Sequence, residues 1–265
     1  WIAPVLPLVL AGVLAMARHP AAWLYAAPIL LLWLASPVVG WWISQPLVAP
    51  APGLSVDQQA FLRAAARRTW RYFADFVGPD DNWLPPDNFQ EYPASAIASR
   101  TSPTNMGMSL LADLAAYDFG YVTAGECLQR IEHTLASMEK LERYRGHFYN
   151  WYDTRTLQPL HPQYVSSVDS GNLAGSLLTL QAGLAEMKHQ QVLSANALQG
   201  LQDTLQVLAE QLPAALAPEL AKKIGLLQDT LRAHLLDGPP QTLAAAASAL
   251  DGIHRIGGAL LESLP

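Results

Sequence analysis

Between His147 and Gly175 the chain reads HFYNWYDTRTLQPLHPQYVSSVDSGNLAG, with neither a helical nor a strand period. It carries five aromatics, two Asp, two Asn, several hydroxyls and two Gly between strongly helical segments. A plain spacer needs only Gly, Pro and small polar residues. Rings mixed with amides and carboxylates suit a polyhydroxylated ligand, because flat faces pack on a sugar's C–H surface and fixed donors and acceptors meet its hydroxyls. An ordered connector whose aromatics fill the core between helices is the competing reading.

A second dense loop, NWLPPDNFQEYPASAIASRTSPTN, spans residues 82–105. Pro85-Pro86 stiffens its approach, and Asp87 to Glu91 supplies carboxylates and amides around Phe89. Pro103 holds Ser102 extended, and Asn105 falls at a helix start, where backbone N–H groups face outward. Arg100 can clamp a carboxylate or a hydroxyl pair, or it can pin Asp87 or Glu91 within the loop. The two loops are expected to leave their helices on one rim and face a shared hollow.

Acid–base chemistry on a glycosidic bond needs two carboxylates across a cleft, about 5 Å apart for retention and wider for inversion. Glu91, Asp153 and Asp169 are available, and spacing singles out none; Asp169 also suits a helix cap. Nucleotide, metal-ligand and Gly-x-Ser-x-Gly patterns do not occur. His147 and His161 read as hydrogen-bonding residues. Cys127, alone in the sequence, excludes an intrachain disulfide framework and reads as an inert core thiol.

The elements that must position these loops are helical. Ser55 and Gln58 form a capping box opening a helix to about Val77, with Phe61, Ala65, Tyr72, Phe73 and Phe76 toward one side. A helix from Thr104 or Asn105 stops at Gly120. Thr123 with Glu126 opens another, expected to run to Arg145 with Gly146 as its stop. Asp169 or Ser170 caps a helix to about Gln191. Helices near Ala195–Leu212 and Pro218–Leu236 follow, with breaks at Pro213 and Gly238-Pro239-Pro240, and the last starts near Thr242. A short hairpin near Phe148–Tyr164 is the only strand structure expected. About seven helices after residue 56 are too few to close a six-hairpin ring.

Hydrophobic residues make up 51% of the 265 and charged ones 14%, unevenly spread. Apart from His19, Arg18 is the sole charged residue before Asp57; the remaining 15 Lys and Arg stand against 22 Asp and Glu, a balance near −7. That excludes a basic nucleic-acid-binding stripe. Residues 1–49 read as a transmembrane hairpin: Ile2–Ala17 and the uncharged run Ala21–Ile43 meet at the Arg18-His19-Pro20 turn. Pro28 and Pro37 are tolerated kinks, and Trp41-Trp42 fits an interfacial belt. A linker covers 50–56. Arg63, Arg67, Arg68 and Arg71 follow, so the positive-inside bias puts the soluble part in the cytoplasm. The start at Trp1, without Met or a leader, reads as an excerpt of something longer.

Four blocks, Leu84–Glu91, Arg100–Asn105, Gly146–Asp153 and Tyr164–Gly175, together resemble the cyclic β-1,2-glucan synthases, strongly over residues 80–180 and weakly after about 190. In that family a membrane glycosyltransferase using UDP-glucose and a divalent metal precedes a glycoamylase-like (α/α)6 domain and a phosphorylase-like domain. The resemblance implies an all-α chain: the last transferase membrane helices, then over 57–265 the N-terminal part of the glycoamylase-like toroid, with 195–265 a variable helical segment. It implies β-1,2-glucan, the lipid bilayer and other domains of the same long chain as partners, a bacterial inner-membrane location, no cofactor held here, and catalytic carboxylates mostly beyond Pro265. Trp151 is expected to be a stacking platform and Asp153, Asn105, Arg100, Asp169 and Asn172 hydroxyl readers, with Glu91 and Tyr149 on the same cleft wall. A stand-alone β-1,2-glucan hydrolase and a non-catalytic membrane-anchored scaffold are the alternatives.

Overall fold

The computed structural model describes residues 5–16, 20–45, 53–190, 194–212, 217–238, 240 and 242–262. The Arg18-His19 turn, linker residues 50–52, and the breaks at Pro213 and Pro239 lie outside the described residues. The chain divides into two compact units, Trp1–Leu54 and Ser55–Pro265.

In the first unit, helix α1 (Val5–Met16) packs against α2 (Pro20–Ile43). The α2 helix carries Pro28 and Pro37 in its interior. Its stretch Trp23–Ile43 has 21 residues, a mean hydropathy of 1.7 and apolar side chains on every face, long and apolar enough to cross a membrane. Leu24, Tyr25, Leu32 and Trp42 are each at least 70% exposed. A helix apolar all round finds no use for water on any side.

Among its described residues the second unit is α-helical apart from one 3-10 turn and two-residue strands. Helix α3 (Val56–Phe76) begins with the expected reciprocal capping box of Ser55 and Gln58. Its buried side differs from the aromatic stripe expected. Ala64 and Trp70 are buried, Tyr72, Phe73 and Phe76 partly so, and Phe61 is 71% exposed. The reason is that the first turns of α3 meet α7 through Arg63 and Arg67, which turns Phe61 outward.

A 3-10 turn (Pro79–Asp81) leads to strands β1 (Phe89–Gln90), β2 (Ala96–Ile97) and β3 (Arg100–Thr101), and then to α4 (Pro103–Asp118). The α4 helix starts before Thr104 because Ser102 caps it, accepting from the Asn105 N–H at 3.3 Å, and Pro103 fits the first helical position. It ends at Gly120, whose φ of +78° is left-handed and whose added Cβ would lie 2.0 Å from the Asn196 carbonyl oxygen. Helix α5 (Ala124–Lys140) has Thr123 as its cap, but only the hydroxyl half of the box forms.

Beyond Lys140 the expectation of continued helix fails. Strands β4 (Arg143–Tyr144) and β5 (His147–Phe148) pair around Arg145 and Gly146, which have φ of +49° and +87°. Two consecutive positive-φ residues make a tight hairpin turn, so Gly146 serves that turn and not a helix end. Strand β6 (Tyr152–Asp153) pairs antiparallel with β3, with Arg100 opposite Asp153 and Thr101 opposite Tyr152. The loop 150–164 also folds back on itself: the Asn150 N–H donates to the Tyr164 carbonyl, and the Leu160 N–H to the Trp151 carbonyl. The expected hairpin within Phe148–Tyr164 is thus present as bridges between these residues and not as a long ladder.

Helix α6 (Ser167–Met187) is capped by the Ser166 hydroxyl, which accepts from the Asp169 N–H at 3.2 Å. Asp169 therefore sits inside the first turn, not at the cap, and its carboxylate is released for other partners. Helices α7 (Ala195–Gln211), α8 (Ala217–Asp237) and α9 (Leu243–Leu261, capped by Thr242) complete the described chain. Helices α4 and α6 pack tightly together; a Cβ on Gly107 would meet Ser176 Oγ at 2.7 Å.

Candidate functional site

The two loops converge through backbone and side chains alike. The β3–β6 pair joins residues 100–101 to 152–153, and the Thr154 N–H donates to the Ser99 carbonyl at 3.0 Å. Below them, Tyr152 is fully buried. Its hydroxyl donates to the Glu142 carbonyl at 2.6 Å and accepts from the Tyr149 N–H at 2.7 Å. Burial pushes that phenol up to about 12, so it stays protonated and keeps both bonds. The Thr154 hydroxyl donates to buried Asp81, and Asn82 donates to the carbonyls of Thr154 and Arg155 at 2.8 and 3.0 Å. This platform holds Trp151 and Asp153 in place.

Above it lies a connected polar network. The Thr104 hydroxyl donates to Asp169 Oδ1 at 2.6 Å, and Asn172 Nδ2 donates to Thr104 Oγ1 at 3.1 Å. Asn150 is 6% exposed, and its amide is assigned by its neighbours. Its Nδ2 donates to Asp169 Oδ2 at 3.0 Å, and its Oδ1 accepts from Trp151 Nε1 at 2.6 Å and the Tyr164 hydroxyl at 2.7 Å. The indole and the first turn of α6 are thereby locked to α4. Burial alone would raise the Asp169 carboxyl, but bonds from Ser166 and Thr104 outweigh it and hold the group below the usual carboxylate range.

The remaining expected residues divide. The Arg100 guanidinium lies 4.9 Å from the Trp151 ring centroid and donates to Asp87 Oδ2 at 2.8 Å. It is both the loop pin and a cover for one face of the indole. Asp153 caps its own turn, accepting from the N–H groups of Arg155 and Thr156 at 2.9 and 2.8 Å. The Thr156 N–H chiefly, opposed by burial and joined by the Thr156 hydroxyl and Arg155, holds its carboxyl low. Both aspartates are therefore firmly ionised at neutral pH. They suit the role of acceptor, whereas a general acid needs a raised pKa.

Asn105 lines a cavity of about 330 Å³ with Pro85, Pro86, Asp87, Phe89 and Met108, and its buried Nδ2 has no acceptor among the described residues. Tyr149 lies apart from these, beside a hollow with Tyr144, His147 and Tyr164. Glu91 is exposed at the end of β1, outside the network. Sequence reasoning did not single out Thr104, Asn150 or Tyr164, which carry the network. The available signal was an amide set between rings at Tyr149-Asn150-Trp151, inside a block already marked.

Among curated proteins the chain is 46% identical over 184 residues to the cyclic β-(1,2)-glucan synthase NdvB of Rhizobium meliloti (strain 1021), a match over 69% of this chain. The resemblance drawn from the four sequence blocks is thus upheld. The chain spans 6% of that relative's length. Among solved structures, a proposed glucoamylase from Bacteroides fragilis NCTC 9343 matches at 24% identity over 69% of this chain and 37% of its own, with a TM-score of 0.37. A superposition that loose carries no argument about ring closure. No family profile matches the chain.

Proposed function

We propose that this chain is a region of a membrane-bound cyclic β-1,2-glucan synthase, in which it supplies a membrane anchor and one wall of the glucan cleft of a glycoamylase-like transglycosylase domain. The observation that carries the reading is the joined rim. Trp151 is held by Arg100 on one face and by Asn150 at its indole N–H, beside the ionised Asp169 and the amide of Asn172. A flat ring flanked by fixed donors and acceptors meets both the apolar face and the hydroxyls of a glucosyl unit.

In this reading a glucosyl ring stacks on the indole face away from Arg100. Asp169 and Asn172 accept from and donate to its hydroxyls, and Arg100 shifts from the ring edge toward the saccharide. Asn105, with its unpartnered amide, reads a neighbouring unit across the 330 Å³ cavity. The α1–α2 pair anchors the bacterial inner membrane, with residues from Ser55 onward on the cytoplasmic side. The whole protein would draw glucosyl units from UDP-glucose through a metal-dependent transferase part. Among the described residues no group of three His, Cys, Asp or Glu could hold a metal ion.

The test is Trp151→Ala in the intact protein, with affinity for linear β-1,2-glucan as the readout. Losing one large stacking surface should weaken binding by about 1–3 kcal/mol. Unchanged affinity with the fold preserved would refute the assignment.

A further inference from the structure

A second cavity lies where α3, α7 and α8 meet, sharing no residue with the network around Trp151. Its volume is about 240 Å³, and five glutamines line it: Gln59 from α3, Gln199, Gln202 and Gln206 from α7, and Gln228 from α8. Gln59 and Gln206 are exposed, while Gln199, Gln202 and Gln228 are part-buried between helices whose contacts are ordinarily apolar.

The buried charge here is already matched, Arg63 being bonded to Asp203 at 2.9 Å. Arg232 lies 3.6 Å from Asp229 on its own helix, with both side chains largely exposed, so its guanidinium can donate to a hydroxyl in the cavity. The amides, in contrast, offer both kinds of group. Gln199 donates to Asp203 and Gln206 to Glu210, at 3.3 and 2.8 Å, which leaves their carbonyl oxygens to accept. Gln202 Nε2 is buried and has no acceptor among the described residues. A buried donor of this kind ordinarily has a partner. A group that both donates and accepts satisfies such a lining, and that group is a hydroxyl.

We propose that this cavity binds a neutral polyhydroxylated molecule of about one sugar ring in size, either a free hexose or the terminal unit of an oligosaccharide. The volume is below the about 300–1,000 Å³ of drug-sized sites and in proportion to a single ring. The inference stands on this cavity and not on the role of Trp151.

Hydrogen exchange of the intact protein, followed by mass spectrometry, tests it with three probes: glucose, a short β-1,2-linked glucan and inorganic sulfate. Glucose or the glucan should slow exchange in segments 199–206 and 224–232, and whichever acts alone identifies the source. Gln202→Leu should weaken that protection about tenfold in apparent affinity, while Trp151→Ala leaves it in place. Where Gln202→Leu alters exchange without ligand, Gln228→Leu takes over the same comparison. Protection by neither sugar, equal protection by sulfate, or protection indifferent to both glutamine variants would overturn the proposal. Glucan protection of 147–169 reads the other site separately, so the two can fail independently.

Discussion

The core beneath the 147–175 loop mixes Leu with Met106, Met138, Cys127 and Tyr152, while among the described residues the core shared by α7, α8 and α9 is Leu and Ile. Buried polar side chains follow the same division. Asp81, Thr101, Asp113, Arg130, Asn150, Thr154 and their neighbours all lie between residues 81 and 154, and among the described residues α7–α9 hold one, Asp203. Directional bonds fix a unique arrangement but are costly when incomplete. Aliphatic packing is forgiving and non-directional. The first region is built to hold side chains in place, and the second to supply bulk. Arg130 shows the difference: it bonds Asp113 at 2.7 Å, donates to the Phe73 carbonyl and lies over the rings of Trp70 and Trp83, tying α3, α4 and α5 through one side chain.

Matched truncations should separate the two regions. Leu110 and Leu231 are both fully buried, one in each core. Either Leu→Ala change should cost about 2–5 kcal/mol locally. Leu110→Ala should also weaken glucan binding in the intact protein, because α4 carries Thr104 and Asn105. Leu231→Ala should leave glucan protection of residues 147–169 unchanged while speeding hydrogen exchange in α8. Equal loss of that protection from both would erase the distinction.

The seam between the regions comes next in size. Along α3, Arg63 bonds Asp203, Arg67 donates to the Thr204 hydroxyl at 2.9 Å, and Arg68 pairs with Glu210. Only the first pair is well buried, with Asp203 at 5% exposure and Tyr121 also donating to it. Asp203→Leu strands a guanidinium and a phenol, and should weaken the α3–α7 contact by about 2–3 kcal/mol. Limited proteolysis near residue 194 reports it. An unaltered cleavage rate would mean that the Leu and Ile packing alone docks α7.

Local rules made the caps at Ser55, Thr123 and Thr242 legible, because hydroxyl and partner lie within one turn. The same locality misled at Gly146. A basic run followed by Gly fits a helix end, and nothing nearby announces that Arg145 also takes a positive φ. Burial along α3 was misjudged because the α7 contact that sets it comes about 140 residues later. In the site, the blocks were visible but the joints were not. Thr104 and Asp169 are 65 residues apart, and only the fold brings the hydroxyl to the carboxylate. That Asp153 also caps its own turn was not legible, because a self-capped turn and a free carboxylate read alike in sequence.

The smallest expected effect probes the polar region's dependence on charge. Thr104→Val keeps the shape of the side chain but removes the hydroxyl that bridges Asp169 and Asn172. Asp169 is held below the ordinary carboxylate range in the folded chain. Its stabilising contribution is therefore complete above the unfolded pKa and is lost as pH falls through the folded value. Without the Thr104 bond the folded value moves up toward ordinary, and the contribution shrinks by about 1 kcal/mol at neutral pH. Exchange protection of residues 166–173 should thus differ between Thr104→Val and the parent at neutral pH. It should converge at acid pH below the lowered folded pKa of the parent, where the carboxyl is protonated in both proteins. The Leu231→Ala variant, acting on a core with no titrating group, should keep its offset in α8 unchanged across that range. An offset in Thr104→Val that ignores pH would show that the bridge to Asp169 acts by packing alone.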